Sequence, residues 1–329
     1  MKKNIALVVG GYSGEYVVSM QSAVTIEQHL NRELYHPYKI SVTRDGWFYT
    51  EASGKPVSVD KNDFSLTLNG AKVHFDAVFI GIHGTPGEDG KLQGYFDMLQ
   101  IPYISCGAIT SGLTFNKSYC NKVVAALHVV SVAKSVHIFR DQPFNDSRIM
   151  ETLRFPVFVK PAEGGSSIGV SKVNNPSEEL GAAIEKAFKE DSQALIEEFV
   201  KGRELTCGLF RKDGKLITLP ITEIRSSKEF FDFEAKYTPG VSREITPAEI
   251  TEEVASLIQE TAKKLYVALN CRGIVRIDFI LEDQTNKLFF LEANTMPGQS
   301  ENSIVPQQVK AAGMSLTDFY GILIEECLK

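Results

Sequence analysis

The sequence has no long apolar run, no paired cysteines, a single tryptophan and no excess of positive charge. Its five cysteines, Cys106, Cys120, Cys207, Cys271 and Cys327, are odd in number and widely scattered, with no CxxC pair. That argues against a disulfide framework or a zinc site and fits a reducing compartment. The longest apolar stretch, 123–133, is broken by His128 and Ser131 and cannot span a bilayer. The opening MKKNIALVVGG has a basic tip, but its apolar run, 5–9, is too short for a secretory signal and ends in Gly-Gly. It reads as a first buried strand. A net charge of −6 implies no basic face for DNA or RNA, so phosphate ligands must be met by a few placed Lys and Arg residues. A cytoplasmic protein is expected, with no nucleic-acid or membrane partner.

What is present is globular: 43% hydrophobic and 23% charged residues. The 329 residues exceed one ordinary core, which suggests two or three domains. Residues 1–112 alternate strand and helix signals: a strand at 5–9, a turn at 10–14, and a helix at 19–30 with Ser19 as N-cap. A strand at 77–82 then enters the loop HGTPGEDG, followed by a helix at 92–99. This pattern predicts a doubly wound parallel sheet, with ligands beyond the carboxyl ends of its strands, where Glu15 and His83 fall. Residues 113–204 predict a smaller α+β unit: a helix at 117–130, strands at 157–160 and 168–173, a helix at 177–190 and a strand at 194–199. The remainder, 205–329, starts with a strand at 205–210 and a long loop, 223–244. Thr246-Pro247-Ala248-Glu249 reads as a helix start with a capping box. Ile250, Val254, Leu257, Ile258, Thr261 and Leu265 would form that helix's buried face.

The last two strands carry the clearest chemistry. In IVRIDFIL (274–281), alternation puts Arg276 and Asp278 on one face, roughly 7 Å apart. In LFFLEAN (288–294), Glu292 and Asn294 share a face. A hairpin centred on Thr285 pairs Leu281 with Phe289, Asp278 with Glu292, and Arg276 with Asn294. Opposed Cβ atoms lie about 5 Å apart, close enough to share a small cation. Carboxylate and amide oxygens without His or Cys select Mg²⁺ or Mn²⁺. An exposed hairpin with ordinary charged residues is the alternative, and it accounts less well for the apolar flanking faces.

Lys160 ends a strand and leads into the Gly/Ser loop 161–169. Such a loop exposes backbone N–H groups to phosphate, although a plain hairpin turn would look the same. It is not a P-loop, having no GK[ST] and no following helix. Glu197, Glu198 and Glu204 flank strand ends, where carboxylates suit ribose hydroxyls or an adenine amino group; a solvated rim is the other reading.

Taken together, these segments resemble the D-alanine–D-alanine ligases of the ATP-grasp superfamily, nearly end to end. The resemblance is carried by GGYSGEYVVS (10–19), HGTPGEDGKLQG (83–94), Lys117, VKPAEGGSSIGVSKV (159–173), EFFDFEAKY (229–237), RID (276–278) and LEANTMPGQSENSIVP (291–306). It implies a three-domain ATP-grasp architecture, α/β and α+β, with a Rossmann-like N-terminal domain (1–112), a central ATP-binding domain (113–204) and a C-terminal catalytic domain (205–329) with a lid loop at 223–244. It implies ATP and two Mg²⁺ (or Mn²⁺) on Asp278, Glu292 and Asn294. Lys117, Lys160 and Lys236 would meet phosphates, Glu197 adenine, the backbone of Phe199 and Val200 the ring, and Glu204 the ribose.

The implied reaction forms an acyl phosphate from one D-alanine, which the amine of a second attacks. Arg276 and the Gly298 N–H would hold the oxyanion, Glu15 the first ammonium, and Ser303 with Ile304 the second carboxylate. Ser166 and Tyr237 would link Glu15 to the lid. His83 is a substrate-site residue or a support for one. A homodimer is expected. Ligases accepting D-lactate typically carry a His where Tyr237 stands; 223–244 contains none, which favours D-alanine. Tyr16 and Val17, where charged residues are common, and Glu198, where Lys is frequent, depart from the family pattern near Glu15 and adenine. Another ATP-grasp ligase and a non-catalytic ATP-binding module are the alternatives; the intact metal ligands, phosphate lysines and Arg276 speak against the second.

Overall fold

The computed structural model describes residues 2–165, 167–226 and 242–329. The first sheet is built on β1 (Lys3–Gly10), whose residues 5–9 are wholly buried, as a strand covered on both faces requires. It pairs in parallel with β2 (Tyr35–Thr43) and β7 (Ala77–Ile80), and β7 pairs in parallel with β8 (Tyr103–Ile104). The helices α1 (Tyr16–His29) and α2 (Lys91–Leu99) connect these strands, giving the doubly wound arrangement expected. An antiparallel edge of β3 (Gly46–Thr50) and β4 (Pro56–Ser58), and a ribbon of β5 (Leu66–Leu68) and β6 (Ala71–Val73), lack clean alternation and are not anticipated from sequence.

Helix α1 begins at Tyr16, with Glu15 at its N-cap; Ser19 is not the cap. Its hydroxyl donates to Gly81 O at 2.7 Å and accepts from Gly10 N at 2.9 Å. The ends of two buried strands thus provide tertiary partners in place of the local N–H groups a cap would satisfy.

Helices α3 (Ala108–Phe115) and α4 (Lys117–Leu127) follow. The latter stops three residues short of the expectation: His128 takes a left-handed conformation, and β9 (Ser131–Val132) joins a later sheet. The second sheet orders β10 (Ser135–Phe139), β13 (Gln193–Glu198), β11 (Val157–Pro161) and β12 (Ser171–Val173). Residues 168–170, expected in a strand, turn instead, with Ile168 N donating to Gly165 O and Val170 N to Ser167 O. The short α5 (Asp146–Thr152) precedes β11, and α6 (Pro176–Glu190) covers the sheet with Leu180, Ala183, Ile184, Ala187 and Phe188.

The third sheet centres on β14 (Gly202–Lys212). Its order is β17 (Ser242–Ile245), β16 (Thr222–Ser226), β14, β18 (Val275–Glu282), β19 (Leu288–Asn294) and β9, with β15 (Lys215–Thr218) also on β14. Strands β16 and β17 occupy the ends of the expected loop 223–244. The next helix, α7 (Glu252–Ala268), is capped by Thr251, whose hydroxyl accepts from Val254 N. Thr246 is not its cap: its hydroxyl bonds that of Thr222, and Ala248 N donates to Ile221 O, so strand-like pairing runs past the sequence signal. The buried face is Ile258, Thr261, Ala262, Leu265 and Tyr266; Leu257, expected there, is 47% exposed.

Helices α8 (Ile304–Ala311) and α9 (Leu316–Cys327) fill the space between the first sheet and β14. Val305, Val309, Phe319 and Tyr320 share one core with Ile5, Leu7, Val9 and Phe210. This core sets the distance between Glu15, after β1, and Ser303, before α8. Among the described residues, no helix is long and apolar enough to cross a membrane.

Candidate active site

A cavity of about 1280 Å³ lies where the three sheets meet, large enough for a nucleotide and small co-substrates. Fifteen of the residues singled out from sequence border it: Glu15, His83, Lys117, Lys160, Glu197, Phe199, Val200, Glu204, Arg276, Asp278, Glu292, Asn294, Gly298, Ser303 and Ile304. Ser166, Lys236 and Tyr237 lie outside the described residues.

Strand β18 turns Val275, Ile277, Phe279 and Leu281 into the core and leaves Arg276 and Asp278 on the cavity side. Across the ladder Asp278 opposes Glu292, and Arg276 opposes Asn294. The expected pairing of Leu281 with Phe289 is displaced by one: Leu281 opposes Leu288, because Leu291 is an extra residue in β19 between Phe290 and Glu292. Such a bulge puts two neighbouring residues on one side of the sheet, and Leu291 and Glu292 both border the cavity.

Asp278 is buried and fully engaged. It accepts from Arg276 Nε (2.9 Å) and Nη2 (2.8 Å), from Asn294 Nδ2 (3.0 Å), and from the Thr206 hydroxyl. Asn294 Nδ2 also reaches Glu292 Oε1 at 3.3 Å, and Arg276 Nη2 lies 4.0 Å from it. Burial alone would lower the Arg276 pKa; the charge and hydrogen bonds of Asp278, with Glu292 beyond, outweigh it and hold the guanidinium above its usual range. Two carboxylates and an amide therefore touch, with no His or Cys among them. This all-oxygen donor set fits a hard divalent ion, given a flip of the Asn294 amide, whose O and N are assigned rather than seen.

Along the second sheet, Lys160 Nζ donates to Glu197 Oε2 at 2.7 Å, both side chains about one-tenth exposed or less. Asn121 Nδ2 donates to the other Glu197 oxygen at 2.8 Å. Asn121 stands four residues after Lys117 on α4, a spacing that puts both on one face and is the sequence signal that marks it. Lys117 Nζ donates to Gly164 O at 2.6 Å. Glu198 is held by Arg154 through Nη2 (2.8 Å) and the backbone N–H (2.9 Å). Burial raises its pKa, but these bonds prevail and keep it low. Phe158 meets Phe199 edge-on at 5.6 Å, and Lys172 Nζ sits 4.5 Å over the Phe199 ring.

On the other side, Glu15 reaches the Gly/Ser loop. A Cβ on Gly165 would come within 2.8 Å of Glu15 Oε1, so glycine here leaves the Glu15 carboxylate where it stands against the loop. Glu88, within HGTPGEDG but unremarked from sequence, also borders the cavity and accepts from Gly84 N at 2.6 Å. Burial, then repulsion from Glu15, pushes its pKa up to about 8, against the Gly84 N–H and Lys117. His83 is buried, and its Nε2 lies 3.0 Å from the Ser22 hydroxyl. Burial pulls its pKa down, against Glu15 and a bond to the Met296 carbonyl, and the ring is neutral at pH 7.

Gly298 borders the cavity, and among the described residues its N–H has no hydrogen-bond partner. Ser303 is the N-cap residue of α8, with its hydroxyl 2.7 Å from that of Ser300. Ser303 and Ile304 both border the cavity, so the start of α8 lies at its wall, where the Ile304 N–H suits a carboxylate.

Two family models match the chain: "D-ala D-ala ligase N-terminus" over residues 4–106 and "D-ala D-ala ligase C-terminus" over 127–325. The D-alanine--D-alanine ligase of Parabacteroides distasonis is 45% identical, covering 100% of this chain and 98% of its own length. The VanG D-Ala:D-Ser ligase of Enterococcus faecalis superposes with a TM-score of 0.88 at 34% identity, over 99% of this chain and 100% of its own. The D-alanine--D-alanine ligase of Bacillus anthracis, solved in complex with ATP, does so at 0.79 and 27%, over 99% and 97%.

Proposed function

The chain belongs to the D-alanine–D-alanine ligase family, with its ATP-grasp fold, and we propose that it joins two D-alanine molecules into D-alanyl-D-alanine for peptidoglycan synthesis, converting ATP to ADP and phosphate. The observation that carries the reading is the single face shared by Arg276, Asp278, Glu292 and Asn294, opposite Glu15 across one cavity. The division into 1–112, 113–204 and 205–329 is supported by the three separate sheets, except that β9 joins the third. The need for ATP and five free cysteines support a cytoplasmic location.

Asp278, Glu292 and Asn294 would hold two Mg²⁺ or Mn²⁺, which when bound neutralise the phosphates and orient the γ-phosphate. Lys117, Lys160 and Lys236 add positive charge along the phosphates. Glu197 takes the adenine amino group beside the Phe199–Val200 backbone, and Glu204 the ribose. Glu15 holds the first D-alanine by its ammonium, so its carboxylate oxygen attacks the γ-phosphorus as ADP leaves. Ser303 and the Ile304 N–H hold the second D-alanine by its carboxylate, aiming its amine at the acyl carbon. Arg276 and the Gly298 N–H stabilise the tetrahedral oxyanion. Its collapse expels phosphate, which takes the bonding pair and the former carboxylate oxygen. Ser166 and Tyr237 tie Glu15 to the lid at 223–244, which keeps water from the acyl phosphate.

A second reading, D-serine as the second substrate, draws on the likeness to VanG. The test is phosphate release with Mg²⁺·ATP across L- and D-amino acids and D-lactate, with products weighed by mass spectrometry. Release with D-alanine alone, giving the dipeptide, is expected. Release that ignores D-alanine overturns the reading.

A further inference from the structure

Behind the cavity wall, a chain of buried hydrogen bonds joins the first sheet to the loop that carries Gly298. Ser22 sits on the buried face of α1 with no exposure, two turns along from Glu15 at the helix N-cap. Its hydroxyl accepts from the Gln299 N–H at 3.1 Å and bonds His83 Nε2 at 3.0 Å. The pair thus grips the loop at Gln299, with Pro297 and Gly298 as the tip that precedes it.

The tip is braced from its other side. Gln299 Nε2 donates to Pro297 O at 3.0 Å, and the buried Tyr320 hydroxyl on α9 donates to Gln299 Oε1 at 3.2 Å. A Cβ on Gly298 would come within 2.8 Å of Ser303 Oγ, so the tip also packs directly against the start of α8.

We propose that His83, Ser22 and Gln299 are positioning residues that fix the Gly298 N–H relative to Glu15, with α1 as the rigid rod between them. His83 Nε2 is committed to the Ser22 hydroxyl, so the residue acts through the loop. The proposal rests on the ligase reading above. A donor useful for an oxyanion must be held where charge develops, and a displacement of about 1 Å costs on the order of a hundredfold in rate. This chain of bonds supplies that hold from the same helix that carries Glu15.

The test compares the full-length wild type with Ser22→Ala and with the milder Tyr320→Phe. Each is assayed for kcat, for KM of ATP and D-alanine, and for affinity toward a dipeptide phosphinate, whose anionic tetrahedral phosphorus mimics the intermediate. Ser22→Ala is expected to lower kcat and phosphinate affinity together by about ten- to a hundredfold, with both KM values within about twofold of wild type. Tyr320→Phe is expected to do the same by roughly threefold, and decides the matter if Ser22→Ala does not fold. Unchanged phosphinate affinity, or equal weakening of phosphinate, ATP and D-alanine, overturns the positioning role. A wild type that neither binds the phosphinate nor turns over D-alanine overturns the ligase reading, and this proposal with it.

Discussion

Asp278 and Glu292 face each other across the β18–β19 ladder, and Leu291 bulges from the strand beside them. The pair is unequal. Asp278 is held by Arg276, Asn294 and Thr206, whereas the Glu292 side chain is 30% exposed. Replacing either by alanine is expected to cut turnover by at least about a thousandfold through loss of metal. Stability should separate them. Asp278→Ala leaves the Arg276 guanidinium, 18% exposed, without its main partner and should cost about 3–5 kcal/mol, while Glu292→Ala should leave the melting temperature within a few degrees of wild type. Phosphate-release assays and thermal melts of both variants check this; wild-type-like activity in either refutes the metal assignment.

In the proposed mechanism Arg276 stabilises the developing oxyanion, whereas Tyr237 has an orienting role. Arg276→Ala is expected to lower kcat by about a hundred- to a thousandfold, more than Tyr237→Phe does. Comparing kcat for the two at saturating substrate decides it.

A Cβ at Gly165 would meet the Glu15 carboxylate at 2.8 Å. Gly165→Ala should displace one or the other, raising the KM for D-alanine by about tenfold with a small change in the KM for ATP. Steady-state titration of each substrate tests this. A selective rise in the KM for ATP would relocate the first-substrate site.

Glu88 links the site to pH. Its pKa rises from an ordinary 4.5 when unfolded to about 8 when folded. The folded state therefore binds the proton more tightly, and the resulting stability is complete below pH 4.5 and lost as pH rises through 8. Without nucleotide or metal, the melting temperature of wild type should fall more steeply between pH 5 and 8 than that of Glu88→Gln. Parallel slopes would contradict it.

Sequence made legible whatever is carried by alternation, spacing and motif. The opposition of Asp278 to Glu292 and of Arg276 to Asn294 follows from strand period and hairpin length, and the structure has both. The slip at Leu281 was not legible, because a bulge is an extra residue that periodicity cannot reveal. Local capping signals misled where tertiary partners competed: Ser19 is taken by Gly10 and Gly81, and Thr246 by Thr222. Thr206, Ser22 and Gln299 were invisible for a related reason. The partners in these bonds are 61 to 277 residues distant, and no short-range pattern marks them.

The most direct test of the account follows the oxygen. With D-alanine labelled by ¹⁸O in both carboxylate positions, Mg²⁺·ATP and enzyme, each phosphate released should carry one ¹⁸O, because the acyl phosphate passes a carboxylate oxygen to its leaving group. Mass spectrometry should find singly labelled phosphate in step with dipeptide. Unlabelled phosphate, or AMP with pyrophosphate in place of ADP, would contradict the account at its centre.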